Sequence, residues 1–366
     1  MAFLVPRWPP DPGGLARAAA RLARGLADTL PVEVLVPDAS LAPGTVVESA
    51  AGALRQVRFG VSPREGAQQA WFELLAARAP YRLIHAVYVS ETGFVGAYAA
   101  RYLSTPCLLA ARGNDLDRDP FRGDRQAGLL YALAHADAVV GVSAELARKA
   151  AALGARGRVL AIPNGVASGR FRPMARDEAL AARLGLTGAG PVIAFVGEAR
   201  AKKGLATMAA AWPRVRAVHP QATLWLVGGV RPGDRALVAG LAGVVEQPPV
   251  DADDLPALLA LADLCWHPSH QDGLPNAVLE AMACGRATIG ARAGGIPDVL
   301  GCPALAELLV PPRDPGALAD LTLALLADPA RRARLEAAGR ERAERDFSPT
   351  AELRAYLALY GDLGVT

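Results

Sequence analysis

Lysine is scarce in this sequence. Only three of the 39 lysine and arginine residues are lysines, and two of the three, Lys202 and Lys203, are adjacent. Aromatic residues make up 5% of the chain, and the net charge is +3. A dedicated nucleic-acid-binding protein normally carries a strongly basic face. We therefore expect no nucleic-acid partner.

Cysteines and long apolar runs are also few. The four cysteines are scattered, and none of their spacings is that of a metal-ligand set. They are typical of buried thiols in a reducing compartment. No stretch is apolar over the length of a membrane span, and prolines interrupt the first residues before a signal-peptide core could form. We expect a cytoplasmic protein whose membrane contact, if any, is peripheral and on the inner face.

The pattern that is present is a repeated alternation of strands and helices. At 366 residues, 52% of them apolar, the chain exceeds one ordinary hydrophobic core. Short apolar runs alternate with helical patterns in two series, which indicates βαβ units and parallel sheets. A stretch rich in proline and glycine separates the series near residues 163–190. The predicted fold class is therefore α/β, with two Rossmann-like domains and a ligand site in a cleft between them.

The expected organisation is an N-terminal domain over 1–170, a C-terminal domain over 171–346 and a final helix over 347–366 that packs back on the first domain. The strands of the first series are predicted near residues 2–5, 32–36, 55–59, 82–87, 107–111, 138–142 and 158–162. Those of the second series are predicted near residues 192–196, 222–227, 243–246, 262–266, 286–290 and 307–310.

One segment, DGLPNAVLEAMACG at residues 272–285, carries two acids. Asp272 precedes a bend, and Glu280 lies on the apolar helix that follows. Backbone N–H groups at a helix N-terminus suit a diphosphate, and ionised carboxylates suit the hydroxyl groups of a sugar. A sugar nucleotide offers both. The alternative is structural, with Asp272 capping the helix and Glu280 on its surface.

This segment resembles the E-x7-E signature of the retaining glycosyltransferases of family four. Their GT-B fold consists of two facing Rossmann-like domains with a cleft between them. Other stretches match the family in its order along nearly the whole chain, namely PPDPGG after the first strand, RGND at 112–115, ADAVVGVS at 136–143, VLAIPNGV at 159–166, IAFVGEARAKKG at 193–204, ADLCWHPS at 262–269 and AGGIPDVL at 293–300. The resemblance implies transfer from a nucleoside-diphosphate sugar to an acceptor hydroxyl, without a metal or other cofactor.

The resemblance also implies roles for the acidic segment. Glu280 would hold the ribose hydroxyls, and Asp272 would face the transferred sugar, although the family usually has the longer glutamate there. Backbone groups would meet the sugar hydroxyls at Gly273, Leu274 and Asn276, and the diphosphate near Leu279.

The lysine pair lies in the loop after the first strand of the second series. In a chain that otherwise uses arginine, it indicates a compact charge suited to phosphate. The family commonly has arginine directly after the glycine and lysine five residues later, whereas this chain has Glu198 and Lys203. We predict that Lys203, assisted by Arg200, clamps the leaving diphosphate and that Lys202 is a solvated neighbour.

Two glycine pairs belong to the matching stretches. Gly13 and Gly14 precede a helix, and the resemblance implies that their loop lines the donor diphosphate or the acceptor site. Gly294 and Gly295 resemble the second glycine pair of the family, where contact with phosphate or donor sugar is expected.

Three polar residues follow buried strands of the first series. Arg112 stands where many family members have histidine, and Asp115 matches the acidic residue on the acceptor side. His85 is a candidate cleft residue, but a lone histidine after an apolar strand is more often part of the core.

Three functions are consistent with this sequence. A retaining glycosyltransferase is favoured. A non-catalytic protein that binds sugar nucleotides or glycans is the main alternative, because Asp272, Glu198 and Arg112 depart from the family pattern. An epimerase or glycan phosphorylase fits the motifs less well. The base, the sugar and the acceptor, whether glycolipid, glycan or small molecule, stay open.

Overall fold

The computed structural model describes residues 1–11, 13–62, 66–186, 188 and 190–365. Pro12 of the first predicted glycine loop and Thr187 and Ala189 of the predicted linker lie outside this set. The chain forms two compact units. The first comprises Met1–Gly165 together with Pro349–Thr366, and the second comprises Val166–Ser348.

The first unit is built on an eight-stranded sheet. Its strands are β1 (Ala2–Leu4), β2 (Val32–Pro37), β3 (Val46–Ala51), β4 (Leu54–Phe59), β5 (Ile84–Val87), β6 (Cys107–Ala111), β7 (Ala138–Gly141) and β8 (Arg158–Ala161). They lie in the order β3-β4-β2-β1-β5-β6-β7-β8 and pair in parallel, except that β3 runs antiparallel to β4. Strands β1, β5, β6 and β7 are buried along their whole length, as continuous apolar runs in a parallel sheet should be.

Helices connect these strands. They are α1 (Gly14–Ala27), α2 (Gly66–Arg78), α3 (Phe94–Leu103), α4 (Asn114–Asp117), α5 (Gly123–His135) and α6 (Ala144–Ala152). The Ser143 hydroxyl caps α6 by accepting from the backbone N–H of Leu146 at 3.3 Å. This cap fixes where α6 begins, whereas α1, α3, α4 and α5 begin without a side-chain capping hydrogen bond from the described residues.

The second unit has a six-stranded parallel sheet. Its strands are β9 (Val192–Val196), β10 (Thr223–Val227), β11 (Val244–Gln247), β12 (Leu264–His267), β13 (Thr288–Ala291) and β14 (Leu309–Val310), in the order β11-β10-β9-β12-β13-β14. Its helices are α7 (Glu178–Arg183), α8 (Leu205–Val218), α9 (Leu255–Leu259), α10 (Asn276–Ala283), α11 (Ile296–Leu300), α12 (Pro315–Ala327) and α13 (Pro329–Asp346). The predicted α/β class with two parallel-sheet units is confirmed.

The last helix, α14 (Pro349–Asp362), belongs to the first unit. Tyr356 and Tyr360 lie in the core of that unit together with residues of β1 and α1. Glu352 accepts a hydrogen bond from Arg21 of α1 at 2.7 Å. The chain thus returns after the second sheet to complete the first core.

Strand β3 was not predicted from the sequence. Its six residues, VVESAA, are mostly exposed and show no alternation of apolar and polar positions. An edge strand with no buried face lacks the period of two on which strand prediction depends. Strand β3 is defined by its antiparallel pairing with β4.

Each sheet has a point where the strand order changes direction. In the first sheet β1 lies between β2 and β5, and in the second β9 lies between β10 and β12. Loops at the carboxyl ends of such strand pairs form the usual ligand sites of open α/β sheets. Among the described residues, no helix is both long enough and apolar enough to cross a membrane.

Candidate donor-binding site

Two loops of the second unit meet at its switch point. The loop after β9 carries Lys203, and the loop after β12 carries Asp272. The Lys203 ammonium donates to the Asp272 carboxylate, and their side chains are 20% and 17% exposed. The close approach depends on Gly204, which has φ 80° and whose added Cβ would lie 2.1 Å from the Pro268 carbonyl oxygen. The two residues singled out from separate motifs therefore form one ion pair.

A buried histidine extends this pair. His267, the last residue of β12, places Nε2 3.0 Å from Asp272 Oδ2 and 3.2 Å from the Ser269 hydroxyl. Because an ionised carboxylate can only accept, the His267 Nε2–H donates to Asp272. Neither His267 nor Ser269 was singled out from the sequence, where the position of His267 at the carboxyl end of a buried strand was the available signal.

Burial and charge act in opposite directions on this network. Burial raises the pKa of Asp272, but Lys203 and the hydrogen bond from His267 outweigh it and hold the pKa well below its usual range. Burial lowers the pKa of His267, although the hydrogen bond to Asp272 acts in the opposite sense. At neutral pH the site therefore holds an ionised Asp272 and a neutral His267.

Asp272 does not cap the helix that follows. Helix α10 has Pro275 at its N-cap position, without a side-chain capping hydrogen bond, and begins at Asn276. Gly273 and Leu274 are buried in the bend, and Leu279 is 1% exposed with its N–H directed at the Pro275 carbonyl oxygen at 3.5 Å. Contact between a diphosphate and the backbone near Leu279 stays a prediction.

Glu280 lies on the buried side of α10 and is 9% exposed. A surface position, which was the structural alternative, would leave the side chain in water. The helix therefore holds this carboxylate away from open solvent, and an ionised carboxylate accepts hydrogen bonds from hydroxyl groups such as those of a ribose. The sequence assignment of Glu280 to the ribose stays a prediction that this burial supports.

The second glycine pair packs against the Asp272 loop. Gly294 has φ 60°, and a Cβ added to it would lie 2.2 Å from the Asp272 carbonyl oxygen. The Gly295 N–H donates to that same oxygen at 2.8 Å. These glycines therefore allow the backbone of one loop to contact the other and hold Asp272 in position.

Arg200 is held by the residue that breaks the family pattern. Its guanidinium forms an ion pair with Glu198 at 3.1 Å, and its Nε is buried without a hydrogen-bond partner. The Lys202 carbonyl oxygen accepts from the His270 N–H at 3.0 Å. Lys203 is thus the basic side chain that pairs with Asp272, and Arg200 lies in the same loop.

In the first unit, Asp115 organises a loop. Its buried carboxylate accepts from the backbone N–H groups of Val89, Arg112 and Gly113 at 2.7–3.0 Å. Burial raises its pKa to about 6, although these hydrogen bonds act to lower it. Contacts of this kind make Asp115 a positioning residue for the RGND loop, and a direct contact with an acceptor stays a prediction.

Arg112 and His85 have different environments. Arg112 is half-buried and donates from one guanidinium nitrogen to Asn164 Oδ1 at 2.5 Å. His85 is fully buried, lies 2.7 Å from the Tyr360 hydroxyl through Nδ1 and packs on Phe3. Burial and Arg112 lower its pKa well below the usual value. The structure therefore assigns His85 to the core of the first unit, because the last helix covers it.

The first glycine loop is open. Gly13 has φ 117° and nothing within 4 Å of its added Cβ, and Gly14 begins α1. A left-handed glycine before a helix fits a loop that a ligand can approach, and its role stays a prediction.

Residues 115–119 read DLDRD and so contain the D-x-D spacing that can hold a divalent metal. Asp117 pairs with Lys149 at 2.6 Å, and Asp119 accepts from Ser90 at 2.5 Å. Within the described ranges there is no group of three or more His, Cys, Asp or Glu side chains placed to hold a metal ion.

The sequence resembles known protein families over most of its length. Residues 13–165 match the glycosyl transferase 4-like domain, and residues 190–328 match the glycosyl transferases group 1. D-inositol 3-phosphate glycosyltransferase 1 of Catenulispora acidiphila is 30% identical over 386 residues, covering 96% of this chain and 91% of the relative. The corresponding enzyme of Salinispora tropica is 34% identical over 224 residues, covering 56% and 46%. In several such matches the chain spans about half the length of the curated relative.

Solved structures share the fold of this chain. Sucrose-phosphate synthase from Thermosynechococcus elongatus superposes with a TM-score of 0.81 and 26% identity, covering 99% of this chain and 98% of that chain. Anabaena HepE in complex with UDP-glucose superposes with a TM-score of 0.78 and 20% identity over 99% of both chains. The chain belongs to the group 1 glycosyl transferases, the family-four glycosyltransferases of GT-B fold.

Proposed function

We propose that the protein is a retaining, metal-independent glycosyltransferase that moves a sugar from a nucleoside-diphosphate donor to an acceptor hydroxyl. The observation that carries the proposal is the Lys203–Asp272 pair at the switch point of the second sheet. A lone lysine at a surface would be solvated, whereas this one is fixed beside a carboxylate in a ligand-binding position. Glu280 lies on α10, the helix that directly follows the Asp272 bend.

The donor class follows from the chemistry of these groups. Lys203 and Arg200 suit the diphosphate, and the carboxylates of Asp272 and Glu280 suit hydroxyl groups on the sugar and the ribose. Anabaena HepE, which shares the fold, forms complexes with UDP and with UDP-glucose. Curated relatives are named for transfer to D-inositol 3-phosphate. These names support a nucleotide-sugar donor and a hydroxylated acceptor.

The proposed reaction balances without a metal. The bond from the anomeric carbon to the diphosphate oxygen breaks, and both electrons leave with the diphosphate. The acceptor oxygen forms the new bond on the same face, and its proton passes to the departing phosphate oxygen. Lys203 and Arg200 stabilise the charge that develops on the leaving group, as preorganised cations do at an oxyanion site. This stereochemical course is the one that the family resemblance implies.

The test is donor binding followed by turnover. Thermal unfolding of the full chain is measured with UDP, GDP, ADP and their common sugars, because a ligand of the native state raises the Tm. We expect one nucleotide series to stabilise the wild type and to lose at least tenfold in affinity with Glu280→Ala. Glu341→Gln, at an exposed position of α13, is the matched control. The absence of stabilisation by every nucleotide would contradict the proposal, and binding without sugar transfer would favour the non-catalytic alternative.

A further inference from the structure

A large cavity lies within the first unit, at the switch point of its own sheet. Its volume is about 770 Å³, and it is lined by residues that follow β1, β2 and β5 and by helices α2, α3 and α5. Pockets that hold small organic ligands have volumes of roughly 300–1,000 Å³. The cavity is therefore large enough for a molecule with more than one ring or a short chain. The donor-binding residues of the second unit do not line it.

One wall of this cavity is aromatic. Trp71, Phe94 and Tyr131 line it, in a chain where only 5% of the residues are aromatic. The Trp71 indole is 2% exposed and is held in place by donating from Nε1 to the Leu35 carbonyl oxygen at 3.1 Å. The Phe94 and Tyr131 rings lie edge to face with centroids 5.4 Å apart. These three side chains, here called the aromatic wall, present a fixed apolar surface.

The aromatic wall continues to the surface of the unit. Phe94 stacks on Tyr98 at 6.0 Å, and Tyr98 contacts Phe72, which in turn contacts Tyr102. Tyr98 and Tyr102 are 46% and 67% exposed. An apolar group that enters the cavity can therefore extend along a continuous line of aromatic rings.

The cavity lining also contains charged side chains but offers no spare positive charge. Among the described residues that line it, Arg125 is the only base, beside the acids Glu91 and Asp124. The Arg125 guanidinium donates to Glu91 at 2.9 Å and to the buried Asp119 at 3.4 Å, and it lies 4.0 Å from Asp124. Asp124 is also paired with Arg122, which donates to it at 2.7 and 3.1 Å. Two guanidinium groups are thus shared by three carboxylates, and neither is free.

This charge balance discriminates between acceptor classes. A phosphate ester carries a charge of about −1.5 to −2 at neutral pH and would face this excess of carboxylates without a free cation to pair with. Hydroxyl groups can instead donate to Glu91 and Asp124, because ionised carboxylates are acceptors only. The charged lining residues therefore favour neutral hydroxylated groups over phosphorylated ones.

We propose that this cavity binds the acceptor and that the acceptor is an uncharged, hydroxylated molecule with an apolar group, such as a neutral glycoside, rather than a sugar phosphate. Its hydroxyl groups face Glu91, Asp124 and Arg125, and its apolar group lies on the aromatic wall. The inference rests on the proposed glycosyltransferase function and specifies the acceptor class for it. It departs from the phosphorylated acceptor for which curated relatives are named.

The test is direct binding to the full chain, without donor. Isothermal titration compares hexyl β-glucoside, phenyl β-glucoside, methyl β-glucoside and inositol 1-phosphate, each below any micellar concentration. We expect the hexyl or the phenyl glucoside to bind at least tenfold more tightly than the methyl glucoside and the inositol phosphate. Preference for the hexyl compound indicates a lipid-like group, and preference for the phenyl compound indicates an aromatic one. Equal or tighter binding of inositol 1-phosphate would overturn the proposal.

Variants locate the binding. Tyr131→Ala should weaken binding of the preferred glucoside at least tenfold, whereas Phe121→Ala should change it less than twofold, because Phe121 is 86% exposed and outside the cavity lining. If Tyr131→Ala lowers the Tm strongly, Gln68→Ala at the cavity rim replaces it. Equal affinity of wild type and of both cavity variants would show that the glucoside binds elsewhere and would overturn the assignment.

A second pair of substitutions tests the charge argument. Glu91→Gln combined with Asp124→Asn removes two carboxylates and leaves Arg125 in place, so binding of inositol 1-phosphate should improve at least fivefold. No improvement would contradict the charge argument. Failure of the glucoside tests while nucleotides still stabilise the protein in a Glu280-dependent manner overturns this inference alone. Glucoside binding without any nucleotide binding overturns the proposed function and leaves the cavity assignment intact.

Discussion

Lys203 donates to the carboxylate of Asp272, a residue 69 positions later in the chain. The contact joins the loops after β9 and β12, which are neighbouring strands of the second sheet. His267, the last residue of β12, donates to the same carboxylate oxygen. Asp272 therefore holds the position of Lys203, and its contact with the transferred sugar is part of the proposed function.

Loss of the Asp272 charge should destabilise the second unit and impair turnover. In Asp272→Asn, Lys203 and His267 lose their ionised acceptor, so we expect the free energy of unfolding to fall by about 1–3 kcal/mol. Urea unfolding followed by fluorescence measures the change. Glu341→Gln, which removes an exposed pair with Arg345, should cost less than about 1 kcal/mol. Equal effects of the two substitutions would show that the Asp272 network is no stronger than a surface pair.

The adjacent lysines provide a matched comparison. Lys203→Ala removes the cation paired with Asp272 and should lower kcat by roughly 10²–10³-fold, the usual effect of removing one group that stabilises a developing anion. Lys202→Ala removes an identical side chain one residue away and should change kcat less than threefold. Initial rates at saturating donor make the comparison. Similar losses in both variants would contradict the assignment of Lys203 as the clamp.

Gly294 should not tolerate a side chain. Gly294→Ala combines φ 60° with a Cβ that would lie 2.2 Å from the Asp272 carbonyl oxygen, so the Asp272 loop must shift. We expect a loss of about 2–4 kcal/mol in stability, together with weaker nucleotide binding. Gly233→Ala is the control, because nothing lies within 4 Å of its added Cβ. Unchanged Tm and nucleotide affinity in Gly294→Ala would show that the loop is not held by this contact.

Asp115 should give the first unit an unusual dependence on pH. Burial raises its pKa to about 6 in the folded protein, above an ordinary value of about 3.9. Between these values the folded state binds more protons, so the contribution of Asp115 to the free energy of unfolding falls, by about 2–3 kcal/mol, as pH rises from about 4 to about 6.

The measurement is thermal unfolding at pH values across this window. Asp115→Asn cannot titrate and should therefore show a smaller decrease of Tm between pH 4 and 6 than the wild type. Asp124→Asn, at a side chain that is 62% exposed, is the control and should retain the wild-type decrease. The same pH dependence in the wild type and Asp115→Asn would exclude the raised pKa.

Transfer should not require a divalent metal. Lys203 and Arg200 are proposed to supply the positive charge at the leaving diphosphate, so activity should persist within twofold after dialysis against EDTA. The measurement is product formation with and without added Mg²⁺ or Mn²⁺. An activity that EDTA abolishes and a metal restores would contradict this part of the proposal.

The regular elements of the interior were predictable from the sequence. Buried parallel strands such as β6 and β9 are continuous apolar runs that end at turn residues, so their positions follow from local composition. The exposed edge strand β3 was missed because its existence depends on pairing with β4. The same contrast holds for the site, where motif order identified the Asp272 and Lys203 loops, whereas the hydrogen bond from His267 to Asp272 was not predicted.

By itself, the sequence determined the α/β class, the two series of strands and the family-four motifs, because hydrophobic periodicity and short motifs are local properties of the chain. Only the tertiary structure decided that Lys203 pairs with Asp272, that His85 lies in the core beneath the last helix, and that aromatic residues of three helices form one cavity wall. These contacts join residues far apart in the chain, so they depend on strand order and helix packing, which no local pattern specifies.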